Sequence, residues 1–191
     1  MSTLFVNNLN TATGTTITVP TGKKLVVTDT GGLAVPNQVL NIYRATIDAN
    51  ASGAVQNTWY DSPVTITFTP LTASSIFLVW YNCGVSMADS SGDGGTSLRL
   101  KRVHNGVTSF PAGISTDTGN SGNRHSWFYS NANASSTNIY SMATVHGVDT
   151  DSHVVSSIVY TVQFAAYNTG NTTVGNSYGG RSIITVMEIA Q

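Results

Sequence analysis

The densest group of possible metal ligands is the run His146-Gly147-Val148-Asp149-Thr150-Asp151-Ser152-His153. Two imidazoles and two carboxylates in eight residues are donor types that zinc or calcium accepts. The run falls where an apolar alternation gives way to a polar loop, so no element fixes its geometry. His146, Asp149, Asp151 and His153 are therefore weak metal candidates, and no metal or other cofactor is assigned. Asp89-Ser90-Ser91-Gly92-Asp93-Gly94-Gly95 has the look of the first half of a calcium loop. The position of its closing bidentate acid holds Leu100, so a turn is the plainer reading.

Arg99, Lys101 and Arg102, with His104, gather much of the basic charge in one short stretch. Arg99 and Lys101 alternate with Leu98 and Leu100, which points both away from the core. They suit a solvated strand face with salt bridges, or recognition of an acidic surface. Trp59-Tyr60 and Trp127-Phe128-Tyr129 sit beside polar stretches. Aromatic faces stack on sugar rings, so Trp127 and Tyr129 join Arg99 and Lys101 as candidate ligand-binding residues. The plainer reading is that the aromatics fill the core or a subunit contact.

The catalytic templates fail. Gly22-Lys23 lacks the first glycine of a phosphate loop, since position 17 is Ile, and Lys24 replaces its Ser/Thr. There is no G-x-S-x-G elbow. The nine acids are scattered, with no recognisable glycosidase pair. The lone Cys83 lies in an apolar run and reads as a buried, inert thiol.

The elements that must position these groups are strands. The dominant period is two. Strands are expected at Val39–Ile47, Val64–Thr69, Ile76–Asn82, Leu98–Val103, Val107–Phe110, Ile139–His146, Ile158–Tyr167 and Ile183–Ile189. Asn105-Gly106 predicts a tight hairpin. The continuous apolar run Ile76–Tyr81 predicts a central strand buried on both faces. Ile158, Tyr160, Val162 and Phe164 share the inward face of their strand. Two long polar loops are expected, Met87–Thr96 and Ala112–Arg124, where binding would be placed. About eight antiparallel strands joined by Gly/Ser/Asn loops predict an all-β, jelly-roll-like β-sandwich. An immunoglobulin-like sandwich is the runner-up, but its Cys…Trp…Cys spacing is missing. Residues 1–36 read as a small β unit with strands at 15–19 and 24–28, too slight to close a core alone. Residues 37–191 are the sandwich.

Composition sets the surface. Only 9% of residues are charged and the formal net charge is −1. Ser, Thr and Asn make up about a third of the chain, against an ordinary charged share of about 25%. Helical bundles normally carry Lys, Glu and Arg outside, so a bundle is excluded. Nothing steers nucleic acid or an anionic membrane. No apolar run approaches the ~20 residues of a membrane span, and the opening MSTLFVNNLN does not read as a secretory signal. The sequons at Asn50, Asn133 and Asn171 would matter only on a secretory route.

Three stretches carry a resemblance. Leu4-Phe5-Val6-Asn7-Asn8 with Thr13–Leu25, then Ser62–Pro70 with Ser74–Val79, then Arg181–Ala190, resemble small virion surface proteins of tailed phages, especially aquatic and cyanobacterial ones. The middle stretch is similar to their "ITFTP…SSKILV" strands, with Ile76 where they carry Lys, and the last to their "STITAMEIA" ending. The resemblance touches both ends and the middle. It implies a non-enzymatic homotrimer, assembled in the host cytoplasm and exposed on the mature virion. Its partners would be the major capsid protein or other virion proteins. Two roles follow from it: a capsid decoration (cement or head-fibre) protein, or a short tail fibre or receptor-binding tip that contacts host surface glycan. No shaft repeat or heptad is visible, which favours decoration. A polysaccharide-degrading enzyme is the third, least supported class.

Overall fold

Period-two alternation becomes strand almost wherever it occurs. In the computed structural model the described residues are 21–22, 36–89, 93–111, 114, 126–131, 137–167, 171–176 and 180–191. The strands are β1 (Val39–Ile47), β2 (Asn50–Gly53), β3 (Trp59–Phe68), β4 (Ile76–Asp89), β5 (Asp93–His104), β6 (Val107–Ser109), β7 (Ser126–Asn131), β8 (Thr137–Asp149), β9 (Ile158–Tyr167), β10 (Asn171–Gly175) and β11 (Ser182–Ile189). No helix occurs among the described residues. The chain divides into two units, Met1–Leu33 and Ala34–Gln191, and every strand named belongs to the second. The strands expected at 15–19 and 24–28 lie outside the described residues.

All ladders between strands are antiparallel and form two sheets. In sheet A, β4 pairs with β8 on one side and with β11 and then β10 on the other. β1 and β2 flank β11 and β10. In sheet B the order is β3-β9-β5, with β6 and β7 sharing the far edge of β5. Taking β1–β2, β6–β7 and β10–β11 each as one interrupted strand leaves eight. The sheets then run first-eighth-third-sixth and second-seventh-fourth-fifth, the connectivity of a jelly roll.

The inward faces fill one core. Phe77, Val79, Tyr81, Val85, Ile184 and Val186 from sheet A meet Val64, Leu98, Leu100, Ile158, Val162 and Phe164 from sheet B, all essentially inaccessible. An aromatic cluster sits at one end. Phe68 lies 4.6 Å from Tyr43, 5.2 Å from Phe77 and 5.6 Å from Tyr160 between ring centroids. Cys83 is buried among these groups, and burial pushes its thiol up to about 12.

Local sequence explains the irregular points. β3 is an edge strand, and its register shift falls between Asp61 and Thr65, where Pro63 offers no amide. Asn105 and Gly106 take positive φ at the tip of the β5–β6 hairpin, as expected. The β10–β11 interruption lies opposite the short break between β1 and β2. Asn176 N donates to Ala49 O at 2.9 Å there, and Arg181 pairs with Asp48 at 3.1 Å.

Two expectations need correction. Met87–Thr96 is not a long loop, because β4 runs to Asp89 and β5 begins at Asp93. Ala88, Asp89, Asp93, Gly94 and Gly95 sit in ladders with β8, β10, β7 and β9, where pairing outweighs poor strand propensity. Secondly, β4 is buried on its inward face alone, while Ile76, Leu78 and Trp80 are only half-buried. The short strands β2, β7 and β10 carry too little alternation to be anticipated. Ala112–Arg124 lies outside the described residues apart from Ile114.

Gly175 has φ 132°, and a Cβ there would overlap the Ala49 carbonyl oxygen. Gly106 has φ 75° with nothing within 4 Å of an added Cβ. In urea unfolding, Gly175→Ala should lose at least about 2 kcal/mol, and Gly106→Ala about 1 kcal/mol. Equal losses would show that the interruption of β10 is not held by that close approach.

Candidate functional site

The two sequence clusters that could do chemistry meet at one end of the sandwich. Parity on β5 separates its basic residues. Arg102 shares the inward side with Leu98 and Leu100 and is almost fully buried, while Arg99 and Lys101 face out. Arg102 of sheet B therefore reaches Asp149, which ends β8 of sheet A and is fully buried. Its Nε lies 3.3 Å from Asp149 Oδ2, and its Nη2 donates to the Ser152 carbonyl at 3.2 Å. Asp149 also accepts from the Tyr160 hydroxyl and, at 2.8 Å, from the Asp151 amide. Burial pushes the Asp149 carboxyl above its usual range, against the pull of Tyr160, the Asp151 amide and Arg102. Burial likewise lifts the Tyr160 phenol, and the adjacent Asp149 charge adds to it.

His153 continues this network across the end. Its Nε2 donates to the Thr72 carbonyl at 3.0 Å, and its ring packs 4.8 Å from Phe77. The Thr72 amide in turn donates to Glu188 Oε1 at 3.2 Å. Glu188, the only glutamate, is fully buried, and no Lys or Arg among the described residues forms an ion pair with it. Its Oε1 also accepts from the Leu71 amide at 2.8 Å and from Ser75 Oγ at 2.6 Å. Tyr43 Oη lies 2.9 Å from Oε2. Four donors satisfy a charge that would otherwise be costly to bury. Burial and this carboxylate raise the Tyr43 phenol to about 12.

The metal reading does not assemble. His146 lies on the outward face of β8, opposite Trp80, and is exposed. Asp149 and Asp151 turn to Arg102, and His153 turns to Thr72. Among the described residues no three His, Cys, Asp or Glu side chains converge as metal ligands.

Above Arg102 lies an open cleft of about 420 Å3, lined by Arg102, His104, Asn105, Ser109, Asp151 and Ser152. Ser156 Oγ is 2.9 Å from His104 Nε2 and donates to Asn105 Oδ1 at 2.8 Å. With Ser156 donating to Asn105, His104 Nε2 is the donor to the serine oxygen. Val107 also lines the cleft, which therefore combines hydrogen-bonding and apolar surface.

Arg99 and Lys101 form a second constellation on the outward face of sheet B. The Arg99 guanidinium lies between Trp59 and Phe110, with Cζ 4.0 Å from each ring centroid. Its Nε donates to Gln163 Oε1 at 2.7 Å, and Gln163 Nε2 donates to Asp61 Oδ1 at 2.6 Å. Lys101 pairs with Asp61. Burial opposes the Asp61 charge, but bonds from Lys101 and Gln163 and the nearby cations outweigh it and hold the carboxyl below its usual range. Burial brings Arg99 down to about 10, still charged at neutral pH. Trp127 and Tyr129 are placed on β7, at register positions opposite Ser97 and Gly95. The sequence marks Trp59 as an aromatic beside a polar stretch but not as a partner of Arg99, and it marks none of Phe110, Asp61, Gln163 and Glu188 as site residues. Parity would have marked Arg102 as inward, but nothing local marks Glu188.

No protein-family model matches the chain, and no curated protein matches it. Among solved structures it is similar to two of infectious bursal disease virus. For the Gt strain the identity is 10% and the TM-score 0.26, covering 87% of this chain and 45% of that one. For the Gx strain the values are 13% and 0.23, covering 78% and 40%. The chain spans less than half the length of either.

Two outcomes follow from the ionic contacts. Asp149→Ala strips Arg102 of its buried partner and should cost about 3 kcal/mol in denaturant unfolding. Lys101→Ala, at a pair half open to water, should cost less than about 1 kcal/mol. A small loss for Asp149→Ala would contradict the bridging role. The folded-state values of Cys83 and Tyr43 lie above their unfolded values near 9 and 10. Their stabilising contribution is therefore complete below about pH 9 and lost as pH rises toward 12. The melting temperature, followed by circular dichroism, should fall across that window, and Cys83 should resist thiol reagents at pH 8 until unfolding.

Proposed function

We propose that this chain is a non-enzymatic structural protein of a virion surface, a capsid decoration protein that binds the assembled shell and stabilises it. One observation carries the reading. The ionic clusters that the structure brings together, around Arg102, Glu188 and Arg99, are spent on holding the sandwich, which leaves a largely neutral hydroxyl-and-amide exterior on a jelly roll. Such a surface suits attachment through backbone hydrogen bonds, amides and apolar burial. The resemblance of its strand sequences to small phage virion proteins points the same way. The chain enters the sandwich beside its exit, since Asn37 N donates to Ala190 O and Ala190 N to Gln38 O, both at 2.9 Å.

The test is a phage lacking the protein. Its heads should release DNA at lower temperature or milder osmotic shock, because a ligand bound only to the assembled shell stabilises it by mass action. Adsorption to the host should be unchanged, also for Trp127→Ala. Stable heads with lost adsorption would instead favour a receptor-binding tip. Removing residues 1–36 should leave a folded sandwich that no longer decorates particles. Attachment of the full chain should change little between 50 mM and 1 M sodium chloride, since exposed ion pairs are screened within roughly 8 Å at physiological salt. Shedding at high salt would contradict attachment through uncharged contacts.

A further inference from the structure

Strands that pack one face on a core normally keep that face apolar. The β5–β6 hairpin departs from this. Leu98 and Leu100 point inward and are buried, and the next two inward positions are Arg102 and His104. Their register partners on β6 are Ser109 and Val107, whose side chains stand on the same face. Val107 is 66% exposed, so the inner face of the sheet opens to water here. Asp151 and Ser152, from the β8–β9 connection, form the opposite wall, and Asn105 closes the tip. The volume of about 420 Å3 falls within the roughly 300–1,000 Å3 of small-molecule sites.

The polar groups of this cleft are fixed from behind. Arg102 is 4% exposed. Asp149 holds its Nε side at 3.3 Å and the Ser152 carbonyl its Nη2 at 3.2 Å. Its Nη1 stands 3.8 Å from Asp151 Oδ2, beyond hydrogen-bond reach. Ser156 Oγ donates to Asn105 Oδ1, which leaves Asn105 Nδ2 to donate. The Asp151 amide is tied to Asp149 Oδ1 at 2.8 Å. Donors, a carboxylate acceptor, serine hydroxyls and the apolar Val107 therefore share one small space. Charge selects the ligand class. The single guanidinium of Arg102 faces two carboxylates, Asp149 and Asp151. A phosphate or carboxylate would meet no uncompensated cation there, and a cation would meet Arg102 beside the carboxylate in reach. Arg99 and Lys101 turn to the other face of β5 by parity. Adjacent ring hydroxyls donate and accept at once, which matches Asp151 beside Arg102 and Asn105, and a ring's C–H face matches Val107.

We propose that this cleft binds a neutral saccharide ring through a pair of adjacent hydroxyls. The site uses none of Arg99, Lys101, Trp127 and Tyr129, and it goes beyond the virion reading without depending on it. The test is amide NMR of the isotope-labelled full chain. The probes are methyl α-mannopyranoside, methyl β-galactopyranoside and methyl α-glucopyranoside, each raised to about 50 mM, which half-fills a site with a dissociation constant of that order. At least one should shift the amides of Asn105, Gly106, Val107 and Ser152 and leave the Trp127 indole unmoved. Galacturonate and glucosamine, the charged counterparts, should bind at least about fivefold more weakly. Asp151→Asn and Ser109→Ala should each weaken the neutral glycoside at least about fivefold, Ser109→Ala with an unchanged unfolding midpoint. Mannan, galactan and maltoheptaose separate the sources of the ring. Tighter binding than the methyl glycoside identifies a residue within a polymer and equal or weaker binding a free sugar, and both support the site. The absence of any amide shift with all of the glycosides overturns the proposal. So do shifts confined to β7, tighter binding of galacturonate, or wild-type affinity in both variants.

Discussion

The structure depends on how a chain with few ionisable groups places those it buries. Arg102 and Asp149 belong to opposite sheets, and neither could stay in the interior without the other. Their contact fixes the distance between β5 and the end of β8. Tyr160, the Asp151 amide and the Ser152 carbonyl then set the path of the chain from β8 into β9. Glu188 does the same work from sheet A, gathering the amides of the β3–β4 connection and the Tyr43 hydroxyl. His153 links the two by way of Thr72. One end of the sandwich is thus closed by a continuous polar network, and the aromatic cluster of Phe68, Phe77 and Tyr160 packs directly beneath it.

This arrangement accounts for the character of the exterior. Charges committed to internal ties are not available for steering or for ionic recognition. What remains outside is hydroxyl, amide and, on sheet A, apolar surface. The two outward faces differ in kind: sheet B carries a satisfied polar lattice around Arg99, whereas sheet A carries an unbroken apolar row. On the proposed reading, contacts of the second kind would serve packing against an assembly.

Much of the fold was legible in the sequence because alternation is a local signal. Ile158–Tyr167 is bounded as its pattern indicates, since a central strand with one face in the core leaves little freedom of register. Asn105-Gly106 marks its hairpin because positive φ is inexpensive for those residues. The stretch 87–96 was misread because strand pairing there comes from four neighbours rather than from its own Ser, Gly and Asp. The His146–His153 run was legible as a polar cluster but not as a sheet-to-sheet tie, because its partner Arg102 lies about fifty residues away. Glu188 gave no signal at all. A single acid within an apolar strand has meaning only once the loop it anchors is known.

The central claim is that the chain belongs to the outer surface of a particle, and position on that particle tests it most directly. Electron cryomicroscopy of intact virions, with and without the protein, should show a difference density of jelly-roll size on the head lattice, repeated with the symmetry of the shell. Density absent from the virion altogether would contradict the account, and density confined to the tail would contradict the decoration role.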